Sequence, residues 1–422
     1  MAINRQRLTL SDKDPLRQDY FLPDRGVRLL GAGSDGFVVQ AVSQRSSYSD
    51  ALKFAKESAN DTQREIQALQ AIGRHTHVVE LLKVYAPHGV RSTPVLAFPE
   101  LHGTLADLTR RSRRSGVLNY SLAGELAQQC LDGLAHVHQC RVVHRDLSPS
   151  NILMDIRPCA NTGHTQLAVK ISDFSRARAL PVEGALEHTG VGQPRHTYTM
   201  TTGLGTVRYS APELLFCTWK ERCEYGVGVD IWAFGTIWFE ILSCTELTPG
   251  TSDAKDMAAL MCRLGECPPE LFSGSRFDGI QRAAQERVAD LREEVPPLQR
   301  YAVAGQPGWE VLAAALQWDS SLRPSAAALK ELPWAAASQV VLSRVRSPAN
   351  ISSYGSGANV SKAICSWASP DTSQQIAHRK RASAVQVTSR YSDGARTFSA
   401  CCLPAGVWRR SGWAQDLASH DV

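Results

Sequence analysis

Hydrophobic and polar positions change their rhythm twice along this chain. From about residue 27 to 100, short β-branched and aliphatic runs such as FVVQAV and PVLAF are separated by polar and turn residues, the signature of short strands. One segment breaks that rhythm. In DTQREIQALQAI the apolar residues Ile66, Leu69 and Ile72 recur at helical spacing, so a single helix is expected among the strands. From about 120 to 335 the segments SLAGELAQQCLDGLAHVHQ, VGVDIWAFGTIWFEILS, KDMAALMCRLG and WEVLAAALQWD read as amphipathic or fully buried helices. Short strands are expected around ILM and LAVKIS, between the first two of them. After about residue 336 Ser, Ala and Arg dominate and periodicity fades, a composition expected to remain largely without a packed core. The pattern predicts an α+β chain with a small β-rich lobe carrying one helix, then a larger helical lobe, then a tail.

Composition narrows the class. With 422 residues, 43% of them hydrophobic, the chain can bury a large core. A net charge of +5 is too small to argue for nucleic acid, and it is uneven. From residue 335 onward ten Lys/Arg face four Asp/Glu, so the tail carries the excess. The eleven Cys include no CxxC pair and no Cys/His cluster at zinc spacing, which argues against a disulfide framework or a structural zinc site. No apolar run reaches eighteen residues and the first twenty lack a secretion-signal core. The expectation is an intracellular chain, cytoplasmic or nuclear, without a membrane or nucleic-acid role. On that expectation the sequons at Asn350 and Asn359 carry no glycan.

The candidate chemistry sits in short motifs. GAGSDGFV places Gly31, Gly33 and Gly36 in a GxGxxG pattern between two predicted strands. Glycines let backbone amides approach phosphate oxygens, and strand on both sides excludes the dinucleotide-binding arrangement, which needs a helix after the glycines. Val38 follows, then Ala51 and Lys53 in ALKF, fifteen residues beyond Val38. Glu65, on the predicted helix, is the candidate partner of Lys53, and Glu57 is its competitor. Near the middle runs VVHRDLSPSNIL. It sets Asp146 and Asn151 five positions apart, a base and a metal ligand in the H-R-D-L-x-x-x-N pattern.

With Asp173 in ISDFSRAR, Ala211-Pro212-Glu213 in APE, Asp230 in VDIWAFG and Arg323 in WDSSLRPS, the chain resembles the eukaryotic protein kinases over residues 24–336. Residues 1–23 are then an N-terminal extension and 337–422 the tail. The resemblance implies a bilobal kinase fold and transfer of the ATP γ-phosphate to protein Ser or Thr hydroxyls. It implies ATP held by Gly31, Gly33, Gly36, Val38, Ala51, Lys53, Phe98, Glu100, Leu101 and Leu153, with Phe98 as gatekeeper. It makes Asp146 the base and Lys53 and Glu65 the phosphate-aligning pair, with Asn151 and Asp173 holding Mg2+. Asp230 should brace the catalytic loop, Glu213 and Arg323 should pair, and His144, Phe174, Leu69 and Leu81 should stack as a spine. LTPGTSDAKDMAALMCRLGECPPE is similar to the cyclin-dependent and mitogen-activated branch. Partners implied are protein substrates and a cyclin-like or other activator that the residues do not specify.

Several positions depart from the family pattern. Ser148 stands where serine/threonine kinases carry a Lys that neutralises charge near the γ-phosphate, and Ser175 replaces the last Gly of D-F-G. Asp35 occupies the glycine-loop tip, beside a phosphorylatable Ser34. Ser210 and Arg208 replace residues that support proline-directed specificity. These departures keep a second reading open, a pseudokinase that acts as nucleotide-binding scaffold or allosteric regulator. Thr206 supports Ser/Thr acceptors. Thr199, Thr201 and Thr202 are candidate phosphosites that Arg145 could bind.

Overall fold

The computed structural model describes residues 10–22, 27–33, 36–45, 48–55, 59–89, 92–115, 120–158, 165–180, 197–198, 207–215, 223–224, 226–269, 271–272, 275–298 and 308–332. All of them belong to the first of two units, Met1–Ala368 and Ser369–Val422. The small lobe comprises α1 (Leu16–Asp19), β1 (Tyr20–Phe21), β2 (Leu29–Ala32), β3 (Gly36–Ser43), β4 (Ser49–Ala55), α2 (Ala59–Ile72), β5 (Lys83–Tyr85) and β6 (Val95–Pro99). Its strands form an antiparallel sheet in the order β1-β3-β4-β6-β5, with β2 also paired to β3.

Period-2 alternation gives this sheet two different faces. Phe37, Val39, Ala41, Leu52, Phe54, Val95 and Ala97 enter one buried cluster, where the rings of Phe37 and Phe54 stack at 5.0 Å. The other face carries Val38 opposite Lys53 opposite Leu96, and Gln40 opposite Ala51 opposite Phe98. That second face joins α2, whose Ile66, Leu69 and Ile72 are all buried, in the core that continues into the large lobe. Residues 10–22, set apart from the domain in the sequence reading, are part of the small lobe's packing: Leu10, Leu16, Tyr20 and Leu22 are buried in its outer cluster. Polar bonds fasten the same segment. Tyr20 Oη donates to Asp50 Oδ2 at 2.8 Å, and Asp19 Oδ2 accepts from Lys83 Nζ and Tyr85 Oη at 2.6 Å each.

Beyond β7 (Gly103–Thr104) lie α3 (Leu105–Ser115), α4 (Tyr120–Gln139), β8 (Val142–Val143), β9 (Ile152–Pro158), β10 (Thr165–Ile171), β11 (Arg178–Ala179), β12 (Thr197–Tyr198), α5 (Pro212–Leu215) and β13 (Cys223–Glu224). Then follow α6 (Gly228–Ser243), α7 (Asp253–Leu264), α8 (Ser275–Leu291), α9 (Trp309–Ala315) and α10 (Ala326–Lys330). Every residue of α6 from Val229 to Leu242 is buried, as an all-round apolar sequence requires, and Trp232 and Trp238 are core. The WEVLAAALQWD pattern overstates its helix, because α9 stops at Ala315. No described helix is long and apolar enough to cross a membrane.

Five described helices escaped the periodicity reading, α1, α5 and α10 because each spans only four or five residues, and α3 and α8 for other reasons. α3 starts at a reciprocal cap in which Thr104 N donates to Asp107 Oδ2 at 3.0 Å while Thr104 Oγ1 accepts from Asp107 N at 3.3 Å, a capping box written TLAD. Among the residues of α8 whose burial is described, only Phe277, Ala284 and Val288 are buried, too sparse a stripe to stand out.

Candidate active site

The site is built where the inner face of the sheet meets the loops around β8, β9 and β10. Lys53, central on β4, sends Nζ to both carboxylate oxygens of Glu65 at 2.8 Å and to Asp173 Oδ1 at 2.8 Å. Glu65 on α2 is buried, so the helix brings in a carboxylate whose cost of burial is offset by a charge-assisted partner. Burial works against the Lys53 ammonium, yet Glu65 and Asp173 together hold its pKa above lysine's ordinary value. For Asp173, burial favours the neutral acid, but Lys53 outweighs it and the pKa falls from 3.8 to about 2. The competitor Glu57 lies outside the described residues.

Asp173 has left-handed backbone, φ 63° and ψ 73°, and its Oδ1 also accepts from Ser175 N at 3.5 Å. A single 3-10 turn, Phe174–Arg176, follows. Ser175 lies inside that turn and is not among the residues with positive φ, so this conformation does not call for glycine there. Phe174 is fully buried, with its ring 4.8 Å from that of His144 in an edge arrangement. Leu69 and the half-buried Leu81 join the same core. Nε2 of His144 donates to the Ser172 carbonyl at 2.9 Å, and Nδ1 accepts from Asp146 N at 3.3 Å. The histidine is therefore packed and spoken for.

The loop carrying Asp146 is held from beneath. Asp230 on α6, fully buried, accepts from His144 N and Arg145 N at 2.8 Å each and from His138 Nε2 at 3.0 Å. Burial opposes its charge, yet the His138 hydrogen bond and the backbone donors keep its pKa below the usual carboxylate value. Asn151 Nδ2 donates to the Asp146 carbonyl at 2.7 Å, and the Asn151 carbonyl accepts from Ser172 N at 2.9 Å and Ser172 Oγ at 3.0 Å. An amide whose nitrogen is committed in this way offers its oxygen to a cation. Ser148 is buried. Arg176 Nε lies 3.5 Å from Asp146 Oδ2, a contact that sequence reading did not find.

Around the mouth, Phe98 is buried behind Ala51, Leu153 is half-buried, and Glu100 and Leu101 follow directly on β6. Both carboxylate oxygens of Glu100 accept from Gln40 Nε2, at 3.0 and 2.8 Å. Gly33 N closes the β2–β3 turn onto the Gly36 carbonyl at 2.9 Å. A Cβ on Gly36 would lie 2.2 Å from the Phe54 carbonyl, while Gly31 and Gly33 border open space. Among the described residues no cluster of three or more His, Cys, Asp or Glu could hold a metal alone. The side-chain oxygens of Asn151 and Asp173 are of the kind that suits a hard divalent cation.

Glu213 and Arg323 pair through two bonds of 2.6 and 2.9 Å in the core. Arg208 engages Glu246, and Ser210 lines a small cavity with Arg145, Asp146 and Leu147. Ser34, Asp35, Thr199, Thr201, Thr202 and Thr206 lie outside the described residues.

Comparison with known proteins agrees with this geometry. The protein kinase domain model matches residues 25–335. The chain is 33% identical over 242 residues to cyclin-dependent kinase 20 of Danio rerio, covering 56% of this chain and 62% of that protein. It is 30% identical over 319 residues to mitogen-activated protein kinase mpkC of Aspergillus terreus, covering 74% and 75% respectively. The alignment thus spans about three fifths of the cyclin-dependent relative's length. The yeast RNA Pol II CTD kinase CTDK-1 complex structure matches 78% of this chain and 95% of its own, with a TM-score of 0.55 at 21% identity. That likeness speaks for the fold.

Proposed function

The chain belongs to the protein kinase family, and from that premise we propose that it transfers the γ-phosphate of ATP to Ser or Thr hydroxyls of proteins. The convergence of Lys53, Glu65 and Asp173 within 2.8 Å carries this reading, because catalysis of phosphoryl transfer is mostly positioning and charge stabilisation. Gly31, Gly33 and Gly36 form the cover over the phosphates. Val38, Ala51, Phe98 and Leu153 take the adenine faces, and the backbone at Glu100 and Leu101 its edge. Lys53, held by Glu65, engages the α- and β-phosphates.

Asn151 and Asp173 would hold Mg2+, which when bound would neutralise phosphate charge. Asp146 accepts the proton of the acceptor hydroxyl as its oxygen forms a bond to the γ-phosphorus. The bond from that phosphorus to the β–γ bridging oxygen breaks, and ADP leaves with the electron pair. Asp230, through two backbone amides, keeps the loop of Asp146 in register with this geometry. The partners are protein substrates. A cyclin-type activator, suggested by the names of the cyclin-dependent relatives, would act on α2, which here already delivers Glu65 to Lys53.

The test is phosphate transfer by the purified chain with magnesium-ATP, followed by mass spectrometry of product Ser and Thr. D146N should lower kcat on the order of 100-fold or more. Equal transfer by wild type and D146N would refute the reading.

A further inference from the structure

We propose that Arg176 supplies the active-site cation that Ser148 does not. This rests on the phosphotransfer reading above. Charge builds on the γ-phosphoryl oxygens during transfer, and a fixed donor aimed at it is worth on the order of 100-fold or more in rate. Lys53 is already committed to Glu65 and Asp173. Ser148 is buried and uncharged, so its hydroxyl offers at most one neutral hydrogen bond.

Arg176 stands beside the reacting centre by three independent constraints. Its Nε lies 3.5 Å from Oδ2 of Asp146, the carboxylate that would accept the proton of the acceptor hydroxyl. Its carbonyl is gripped by Arg145 Nε at 2.8 Å, which ties it to the same loop as Asp146. Its backbone belongs to the 3-10 turn that starts at the buried Phe174 and is aimed by the left-handed Asp173. The side chain is half-buried, 27% exposed, against 19% for Asp146, so the charge is partly shielded from water. A guanidinium presents five donors in a planar fork. Such a fork beside Asp146 can exchange a contact for a phosphate oxygen when nucleotide is present. The cation therefore enters the site from the segment after Asp173, instead of from the loop two residues beyond Asp146.

The position also explains why a serine at 148 is tolerated. A lysine there would add a second positive charge on the loop of Asp146, and in this chain the two are alternatives. They should be interchangeable in effect and non-additive together.

The experiment measures steady-state phosphotransfer to casein by the full chain with magnesium-ATP, for wild type, D146N, R176L, R176Q, R176K, S148K and the double variant S148K/R176L. Thermal melting checks the fold, and R176Q replaces R176L, alone and combined with S148K, if R176L fails to fold. R176L should lose on the order of 100-fold in kcat with little change in the KM for ATP. S148K/R176L should regain at least about ten-fold of that loss, R176K should retain most activity, and S148K alone should gain less than about three-fold. Wild-type kcat in folded R176L overturns the inference. So does a loss that neither S148K nor R176K relieves, since Arg176 would then act only on structure. If wild type transfers no more than D146N, the phosphotransfer reading falls and takes this inference with it, an outcome distinct from the first two.

Discussion

Asp173 holds together two requirements that oppose each other, burial beside the core and a full negative charge. Lys53 reconciles them, and the sign of the resulting pH dependence follows. The folded pKa of about 2 lies below the unfolded value of 3.8. The carboxylate therefore contributes stability above about pH 4, and that contribution drains away as pH falls towards 2. In K53M the influence of burial is left nearly unopposed, so the Asp173 pKa should rise above 3.8, readable by carboxyl-carbon NMR titration. An unchanged value would show that Lys53 is not its stabiliser. Asp230 gives a second residue-scale test. Its carboxylate is fully buried on three donors, and D230A strands two loop amides and a histidine. A loss of roughly 3–5 kcal/mol is expected in urea unfolding, with kcat falling as the loop loosens.

At the scale of elements, the glycines of the β2–β3 turn divide into two kinds. Gly36 packs its α-carbon against the Phe54 carbonyl, whereas Gly31 and Gly33 face open space. G36A should push β3 from β4 and lower the melting temperature. G31A and G33A should melt like wild type but raise the KM for ATP, because the added methyl stands where phosphates would pass; equal melting of all three would contradict the packing argument. The same division marks what the sequence could disclose. Lys53, Asp146, Asn151 and Asp173 were legible because their spacing is dictated by chemistry. Glu65 was legible because it shares a helix whose other positions, Ile66, Leu69 and Ile72, keep strict period. α3 was missed although its TLAD cap was in view, since the arginines and serines that follow give no apolar stripe. Arg176 was missed for a deeper reason. Its direction is set by the left-handed backbone of Asp173 and the turn after it, and neither leaves a trace in residue type or spacing.

For the whole folded unit, the small lobe starts earlier than the motifs suggest. Leu10, Leu16, Tyr20 and Leu22 fill its outer cluster, each worth roughly 1.5–3 kcal/mol on burial. Deleting residues 1–23 should lower the urea midpoint markedly and reduce phosphotransfer through loss of fold, while an unchanged midpoint would place this segment outside the cooperative unit. At the other end of the described chain, Arg323 ties the segment before α10 to Glu213 of α5. Both lobes contribute to one site, where Lys53 and Glu65 from the small lobe meet Asp173 from the large one. The most direct test of phosphotransfer there is single-turnover transfer from γ-labelled ATP with magnesium by the full chain, wild type against D146N, on a protein acceptor. Label on Ser and Thr is expected from wild type, with a rate on the order of 100-fold lower from D146N at similar nucleotide affinity. Equal rates in the two proteins, or label on neither, would contradict phosphotransfer at this site.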